Sequence, residues 1–435
     1  MSIEDLRVHQ EVCTRCSQCK FVPMPESPAF ATLCPSVDHG QFHAFSGSGK
    51  LITAYALSQG RATVNERLIE SVYACTMCGA CDTACKTNMG DLVEPLDTLY
   101  ELRATLASDG HVPPAVTHAM QRIRQEGSRF GPRVDRSRWA ENLALPDATR
   151  QRVEVLLHVG DDNAHDQAAW PQLHTVVRLL RQAGVDFGTA HDAESDAGGY
   201  AHDTGFRTDA RRLAEAQAEL LRRAGAKVLL TASAEAYAAF RNVYPRLGVD
   251  LSFVRVVHAT DFLLELVETG RLAVRAARDT TVTYHDPCRL GRLSEPYQPW
   301  HGQWITVMNT LSVPDSPRPV RFGNGGNHEA PRRLLRRIDG LRLVEMPRNR
   351  LFAYCCGAGG GAAEAYPEMA QAAALQRLQE ARSTGAHTLV TACSGCQRHL
   401  ADVARAHGVD IEVQGVFDLL APASAPVGAA TVKGC

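Results

Sequence analysis

The chain has 435 residues, 45% hydrophobic and 22% charged, enough for two or three domains with cores of their own and unlike a disordered chain. Its 46 Lys plus Arg balance 48 Asp plus Glu, so no broad positive field exists to attract nucleic acid or an anionic membrane. No segment approaches the ~20 apolar residues that span a bilayer, and the opening MSIEDLRVHQEVC lacks the basic-then-apolar order of a secretion signal.

Helical periodicity at residues 49–57, 64–73 and 95–106 predicts a small helical domain over residues 1–130. Within it, Cys75-x2-Cys78-x2-Cys81-x3-Cys85 has the spacing of a [4Fe–4S] loop, in which three thiolates hold three corners of a cubane and the fourth Cys ligates a second cluster. Cys13, Cys16 and Cys19 repeat the triplet, and Cys34-Pro35 supplies a displaced fourth ligand. The crossed pattern assigns Cys13, Cys16, Cys19 and Cys85 to one cluster, and Cys75, Cys78, Cys81 and Cys34 to the other. A gap of fourteen residues before Cys34 departs from the usual x3 spacing. Zinc, which prefers pairs of Cys to triplets, is the weaker fit. Gly47-Ser-Gly-Lys50 lacks the first glycine and the Ser or Thr of a phosphate loop and reads as a helix start.

The link 127–149, rich in Arg and Asp, is expected to wrap the surface. Beyond it, β-branched runs at 153–159, 227–231, 280–284 and 388–391 alternate with Ala-, Leu- and Arg-rich helical stretches, the order of α/β units around parallel sheets. The α/β part reads as an internal duplication. Gly225-Ala-Lys-Val-Leu-Leu-Thr-Ala232 lines up with Gly385-Ala-His-Thr-Leu-Val-Thr-Ala392, after which the first copy has Ser233-Ala-Glu-Ala236 where the second has Cys393-Ser-Gly-Cys396. Asp196-Ala197-Gly198 stands where the second has Cys355-Cys356-Gly357, and Asp161 follows a strand as Cys288 does. Asp161 and Asp196 are expected to be solvated, as is a basic face made by Arg332, Arg333, Arg336 and Arg337.

The fourteen cysteines, in a large chain without a signal, point to metal ligation rather than disulfides. Cys288, Cys355, Cys356, Cys393 and Cys396 would converge at the carboxyl ends of strands as a further metal site, leaving Cys435 alone. The glycines after Cys356 let backbone amides approach sulfur; Gly357-x-Gly359-x2-Ala362 lacks the acidic partner of a dinucleotide turn. His285 and Asp286 invite a thiol-hydrolase reading, but strand neighbours point to opposite faces, which favours roles around the metal.

At these residues the chain resembles the cysteine-rich CCG domain of heterodisulfide reductases. The same domain follows a twin-cluster ferredoxin module in the iron–sulfur components of glycolate-, lactate- and anaerobic glycerol-3-phosphate-oxidising complexes and of sulfite-reduction-associated ones. The resemblance implies a helical twin-cluster ferredoxin domain, then a duplicated α/β CCG domain divided as 150–275 (without cysteines) and 276–422, with a flexible tail at 423–435. For Cys288, Cys355, Cys356, Cys393 and Cys396 it implies a noncubane [4Fe–4S] cluster, the place of disulfide cleavage in the reductases; zinc is the alternative.

Two departures stand out. The gap from Cys288 to Cys355 is 66 residues, longer than usual, with the excess placed at 296–327, and the first copy has no thiols. A reaction needing two such clusters is therefore in doubt. The expected function is an electron-transfer subunit between a flavoprotein or dehydrogenase partner and an acceptor; the alternative is a disulfide reductase, with Cys355 and Cys356 the candidates for chemistry. A membrane cytochrome or quinone-reducing subunit is a further expected partner, nucleic acid is not, and the expected location is the cytoplasm or, through a partner, the inner face of the membrane.

Overall fold

A computed structural model describes residues 2–131, 136–274, 276–309 and 311–420; the proposed tail and Cys435 lie outside the described residues. Helices fill the first part: Arg7–Glu11, Pro35–Gly40, Gly47–Ser58, Glu66–Tyr73, Ala80–Met89, Pro95–Ser108 and Pro114–Glu126. Their starts follow local chemistry. Ser46 and Asn65 side chains accept from the backbone N–H of Gly49 and Leu68, while Pro35, Pro95 and Pro114 sit at first positions, where a missing N–H costs nothing. Gly47-Ser-Gly-Lys50 is thus a helix start.

The second part contains β1 (Val155–His158), β2 (Phe187–Gly188), β3 (Val228–Thr231), β4 (Arg255–His258), β5 (Ala277–His285), β6 (Trp304–Val307), β7 (Leu311–Pro314), β8 (Asp339–Val344), β9 (Thr388–Thr391) and β10 (Glu412–Gly415). Two parallel sheets result, ordered β2-β1-β3-β4 and β10-β9-β5-β8. In each, the strands that carry the aligned repeats, β3 and β9, pair with the first strand of their half, β1 and β5. One hydrophobic core takes in Leu157 and Leu230 from the first sheet together with Val282, Tyr284 and Val390 from the second, so the two halves pack on each other. The long gap before Cys355 holds an antiparallel ribbon, β6 with β7.

Two surface expectations are met only in part. The link segment does not only wrap the surface: Arg138, Glu141, Asn142, Ala144 and Thr149 are exposed, but Ser128, Arg136 and Trp139 are each 2% exposed or less, because Trp139 joins the shared core and Arg136 enters a buried acidic site. Nor do the four arginines form one solvated face. Their helix, Ala330–Leu335, is short, and Arg332 is fully buried, forking onto Asp286 at 2.6 and 2.8 Å and onto Glu345. Arg333, Arg336 and Arg337 are exposed.

Candidate metal centres

The two N-terminal triplets adopt one backbone shape. Arg15 and Met77, two residues after the first Cys of each, have φ of 59° and 51°, and Ser17 and Gly79, two further on, have 71° and 75°. Left-handed backbone costs a non-glycine residue about 1–2 kcal/mol, so its recurrence at Arg15, Ser17 and Met77 marks a turn that the two loops share.

Each triplet has a thiol of the other segment beside it. Burial, then negative charge on Asp82, Cys19, Cys13 and Cys16, pushes the Cys85 thiol up to about 12. Burial likewise pushes Cys34 up to about 12, with Cys75 and Cys78 adding to it and the Lys50 ammonium opposing. Cys34, Cys75, Cys78 and Cys81 line a single cavity. Buried thiols ionise only at a large penalty unless a cation sits among them, so four to a cavity fit a multinuclear iron site whose charge makes the thiolates stable.

Gly47 separates the two groups. A Cβ there would lie 3.0 Å from Cys81 Cβ and 3.3 Å from Cys19 Cβ, so only glycine fits without displacement. The following amide, Ser48 N–H, donates to Cys19 Sγ at 3.4 Å.

The C-terminal five also converge. Cys288 follows β5, Cys355 and Cys356 occupy the glycine loop, and Cys393 caps the helix Ser394–Ala406, its Sγ accepting from Cys396 N–H at 3.4 Å. Cys356 Sγ is 3.3 Å from Cys396 Sγ, and Gly357 N–H donates to Cys355 Sγ at 3.4 Å. All five line a cavity of about 170 Å³, whose other walls include Arg129, Arg398 and Asp402. The thiols share protons: hydrogen bonds from Cys355 and Cys396 hold Cys356 well below the usual thiol range, while Cys288 and Cys396 are held well above it by the same kind of bond and by burial.

Cys78 joins this centre to the N-terminal part, since it shares one buried cluster with Cys355, against which Cys288 packs. Two arginines clamp the junction. Arg292 donates to the carbonyls of Cys78 (2.7 Å), Leu351 and Ala353 (2.9 Å each). Arg103 donates to Val72, Tyr73 and Cys75 on one side and to Asp203 and Gly360 on the other. The glycine loop is glycine for this reason too: a Cβ on Gly360 would lie 2.8 Å from the Thr76 carbonyl carbon.

Residues 9–89, holding all eight N-terminal cysteines, match the 4Fe-4S dicluster domain family, and residues 321–401, holding Cys355, Cys356, Cys393 and Cys396, match the cysteine-rich domain family named CCG. One component of the dihydromethanophenazine:CoB–CoM heterodisulfide reductase of Methanosarcina mazei is 29% identical over 94% of this chain and 93% of its own length. Over most of its length the chain is similar to this heterodisulfide reductase component, and it carries a dicluster match followed by a CCG match. A probable iron-sulfur-binding oxidoreductase of Bacillus subtilis is 28% identical over 87% of this chain and 50% of that protein. The EtfAB:quinone oxidoreductase of Syntrophomonas wolfei is 25% identical over 80% and 46%.

The first α/β half shares local features with the second but has no cysteines. Ser233 caps the helix after β3 as Cys393 does after β9. Gly198 and Gly357 share positive φ, 82° and 103°, each close against a following helix carbonyl, Ala210 O or Ala370 O. The acids at the thiol positions are not solvated, contrary to expectation: Asp161 is 9% and Asp196 3% exposed. Arg136 stands beside them, donating to Asp161 Oδ1 at 2.5 Å and to Glu194 Oε1 at 3.0 Å, and Ser128 Oγ donates to Asp161 Oδ2. A guanidinium thus neutralises acids in the half that carries no thiols.

Burial first, then the negative charge of Asp161, raises the Asp196 carboxyl to about 8, against an opposing pull from Arg129. Between its unfolded value near pH ~4 and pH 8 the folded chain holds a proton that the unfolded chain has released, so this group's contribution to stability falls as pH rises through that window. Asp196→Asn keeps the acceptor for Gly198 N–H and removes the ionisation. Urea unfolding over a pH series should show the variant gaining on the parent as pH rises, by at most about 1.4 kcal/mol per pH unit. Parallel curves would contradict the burial argument.

Asp286 and His285 do point apart. Asp286 is held well below the carboxylate range, against burial, chiefly by hydrogen bonds from the Arg332 guanidinium, with Arg350 N–H donating as well, while His285 faces Arg377 and the thiols. The sequence gives no sign of Arg103, Arg136, Arg292 or Arg377. Their partners are mostly backbone carbonyls or residues distant in the chain, so no local spacing announces them.

Proposed function

We propose that this chain is an iron–sulfur electron-transfer subunit of an oxidoreductase complex. In this reading Cys13, Cys16, Cys19 and Cys85 hold one cubane, Cys34, Cys75, Cys78 and Cys81 a second, and Cys288, Cys355, Cys356, Cys393 and Cys396 a CCG-type cluster. Such clusters exchange single electrons at potentials set by ligands, hydrogen bonds and exposure. The chain's own residues hold the three sites in series: Gly47 brings Cys19 close to Cys81, and Cys78 shares a buried cluster with Cys355. That run of close approaches from the exposed Cys16 to the buried Cys355 and Cys356 is the observation that carries the reading. Arg103 and Arg292 fix the spacing.

The repeated sheet, with Asp161, Asp196, Ala197, Ser233 and Ala236 at the thiol positions, supports a duplicated CCG scaffold in which 150–275 is the emptied half and 276–422 the loaded one, behind a ferredoxin-like domain at 1–130. Several relatives are named as parts of redox complexes, which supports a flavoprotein or dehydrogenase partner. Among the described residues no helix is long and apolar enough to cross a membrane; one relative is named a probable membrane-anchored ferredoxin, which supports attachment through a partner.

One observation favours disulfide reduction as a second reading: the cavity over Cys355 and Cys356 extends to Arg129 and Arg398, side chains that carry no thiol. The two are told apart by stopped-flow mixing of anaerobic protein with a reduced flavoprotein, then with a disulfide. The relay reading expects rapid electron uptake and slow or absent disulfide turnover. Sustained turnover with a one-electron donor, abolished by Cys356→Ser, would replace it.

A further inference from the structure

His285 ends β5 fully inside the protein, 1% exposed, and one of its ring nitrogens, Cys356 Sγ and Cys396 Sγ all lie within 4.8 Å of one another. Its surroundings decide what it can do there. Arg377 Nε is 3.0 Å from His285 Nδ1. A guanidinium has no lone pair to offer, so Arg377 donates and Nδ1 accepts. In the neutral ring the proton then sits on Nε2, a buried atom with no hydrogen-bond partner among the described residues. A protonated Nε2 has no lone pair for a metal and can act only as a donor, and the ring lies beside the sulfurs of Cys356 and Cys396.

The lock on this tautomer is itself held. Arg377 also donates to Glu380 Oε2 at 2.6 Å and to the Arg348 carbonyl at 2.9 Å, and Arg348 reaches the Thr32 carbonyl at 2.7 Å, two residues before Cys34. All three side chains are 1% exposed or less, so little water competes for these bonds. The position of the His285 proton is therefore tied to the packing of the N-terminal centre against the C-terminal one.

We propose that His285, through Nε2–H, is the hydrogen-bond donor that sets the reduction potential of the C-terminal centre. This rests on the reading of that centre as an iron–sulfur cluster. A donor to a thiolate or sulfide stabilises the more negative, reduced state, so it raises the potential and draws electrons from the cubane at Cys34, Cys75, Cys78 and Cys81 toward Cys355 and Cys356. His285 is a positioning residue and forms no bond to iron.

The test is a redox titration, followed by electron paramagnetic resonance, of anaerobic full-length holoprotein as wild type, His285→Phe and His285→Gln. Phe removes the donor and should weaken reduction of the C-terminal centre at least tenfold, ~59 mV for a one-electron couple, with the other two midpoints unmoved. Gln keeps an N–H and should recover most of the loss. An unchanged midpoint in His285→Phe, or an equal drop in both variants, overturns the proposal. Should His285→Phe fail to load or fold, nitrogen NMR of ¹⁵N-histidine-labelled wild type decides: protonation at Nε2 supports the proposal and protonation at Nδ1 overturns it. A wild-type protein with no third cluster signal fails the underlying reading and this inference together, whereas a third signal indifferent to residue 285 fails the inference alone.

Discussion

Cys85→Ser should remove the cluster assigned to Cys13, Cys16 and Cys19 and take about four irons with it, while the signals of the Cys75 triplet's cluster persist. Cys81 and Cys85 lie one turn apart on the helix Ala80–Met89, yet Cys81 lines the cavity with Cys34, Cys75 and Cys78, whereas Cys85 is surrounded by the first triplet. On this pairing one helix supplies both centres, and each segment completes the other's. Cys34→Ser should give the mirror result, losing the Cys75 triplet's cluster. Because metal binding and folding are coupled where ligands come from separate segments, either change should also lower the melting temperature of the helical part. Iron analysis with electron paramagnetic resonance of the reduced protein checks both. Loss of the Cys75 triplet's own cluster in Cys85→Ser would show that the pairing is local.

Arg103→Met should destabilise the protein by more than about 4 kcal/mol, because the side chain is fully buried and its removal strands carbonyls of Val72, Tyr73, Cys75, Asp203 and Gly360 at about 1–3 kcal/mol for each left without a partner. Lysine should rescue little. Its three donors on a flexible stem cannot reproduce a planar fork that serves five acceptors. The chain approaches this residue from three regions far apart in sequence, so the loss should loosen the helical part and both α/β halves together. Urea unfolding read by tryptophan fluorescence and by cluster absorbance should shift to lower denaturant with coincident curves. A stability within about 0.5 kcal/mol of wild type would mean that water or rearranged side chains satisfy those carbonyls.

The strands that the sequence makes legible are those buried on both faces, and the ones it hides lie at the edges. β1, β3, β5 and β9 are central, and each shows as a β-branched or apolar run. The edge strands β2, β4, β8 and β10 are short or polar: β2 has two residues, and β8 exposes Asp339 and Gly340. Their pairing comes from the neighbouring strand, so their own residues carry little signal. The ribbon of β6 and β7 falls where the spacing between Cys288 and Cys355 is too long, legible as an excess but not as a hairpin.

The centres divide in the same way. Thiol spacing names the ligands, since three cysteines on one loop leave few alternatives, and the glycine after Cys356 signals a close approach. The groups that hold the centres against each other are long-range. Arg103, Arg136, Arg292 and Arg377 find their partners through tertiary packing, and Asp161 and Asp196, which look like ordinary loop acids, are buried where the second half keeps its thiols, with Arg136 paired to Asp161.

Metal analysis of anaerobically purified protein tests the central claim most directly. Thirteen grouped cysteines in three centres predict on the order of twelve irons with matching sulfide and no stoichiometric zinc. About eight irons with one zinc would contradict a third cluster, reduce the C-terminal five to a structural site and leave the N-terminal pair standing.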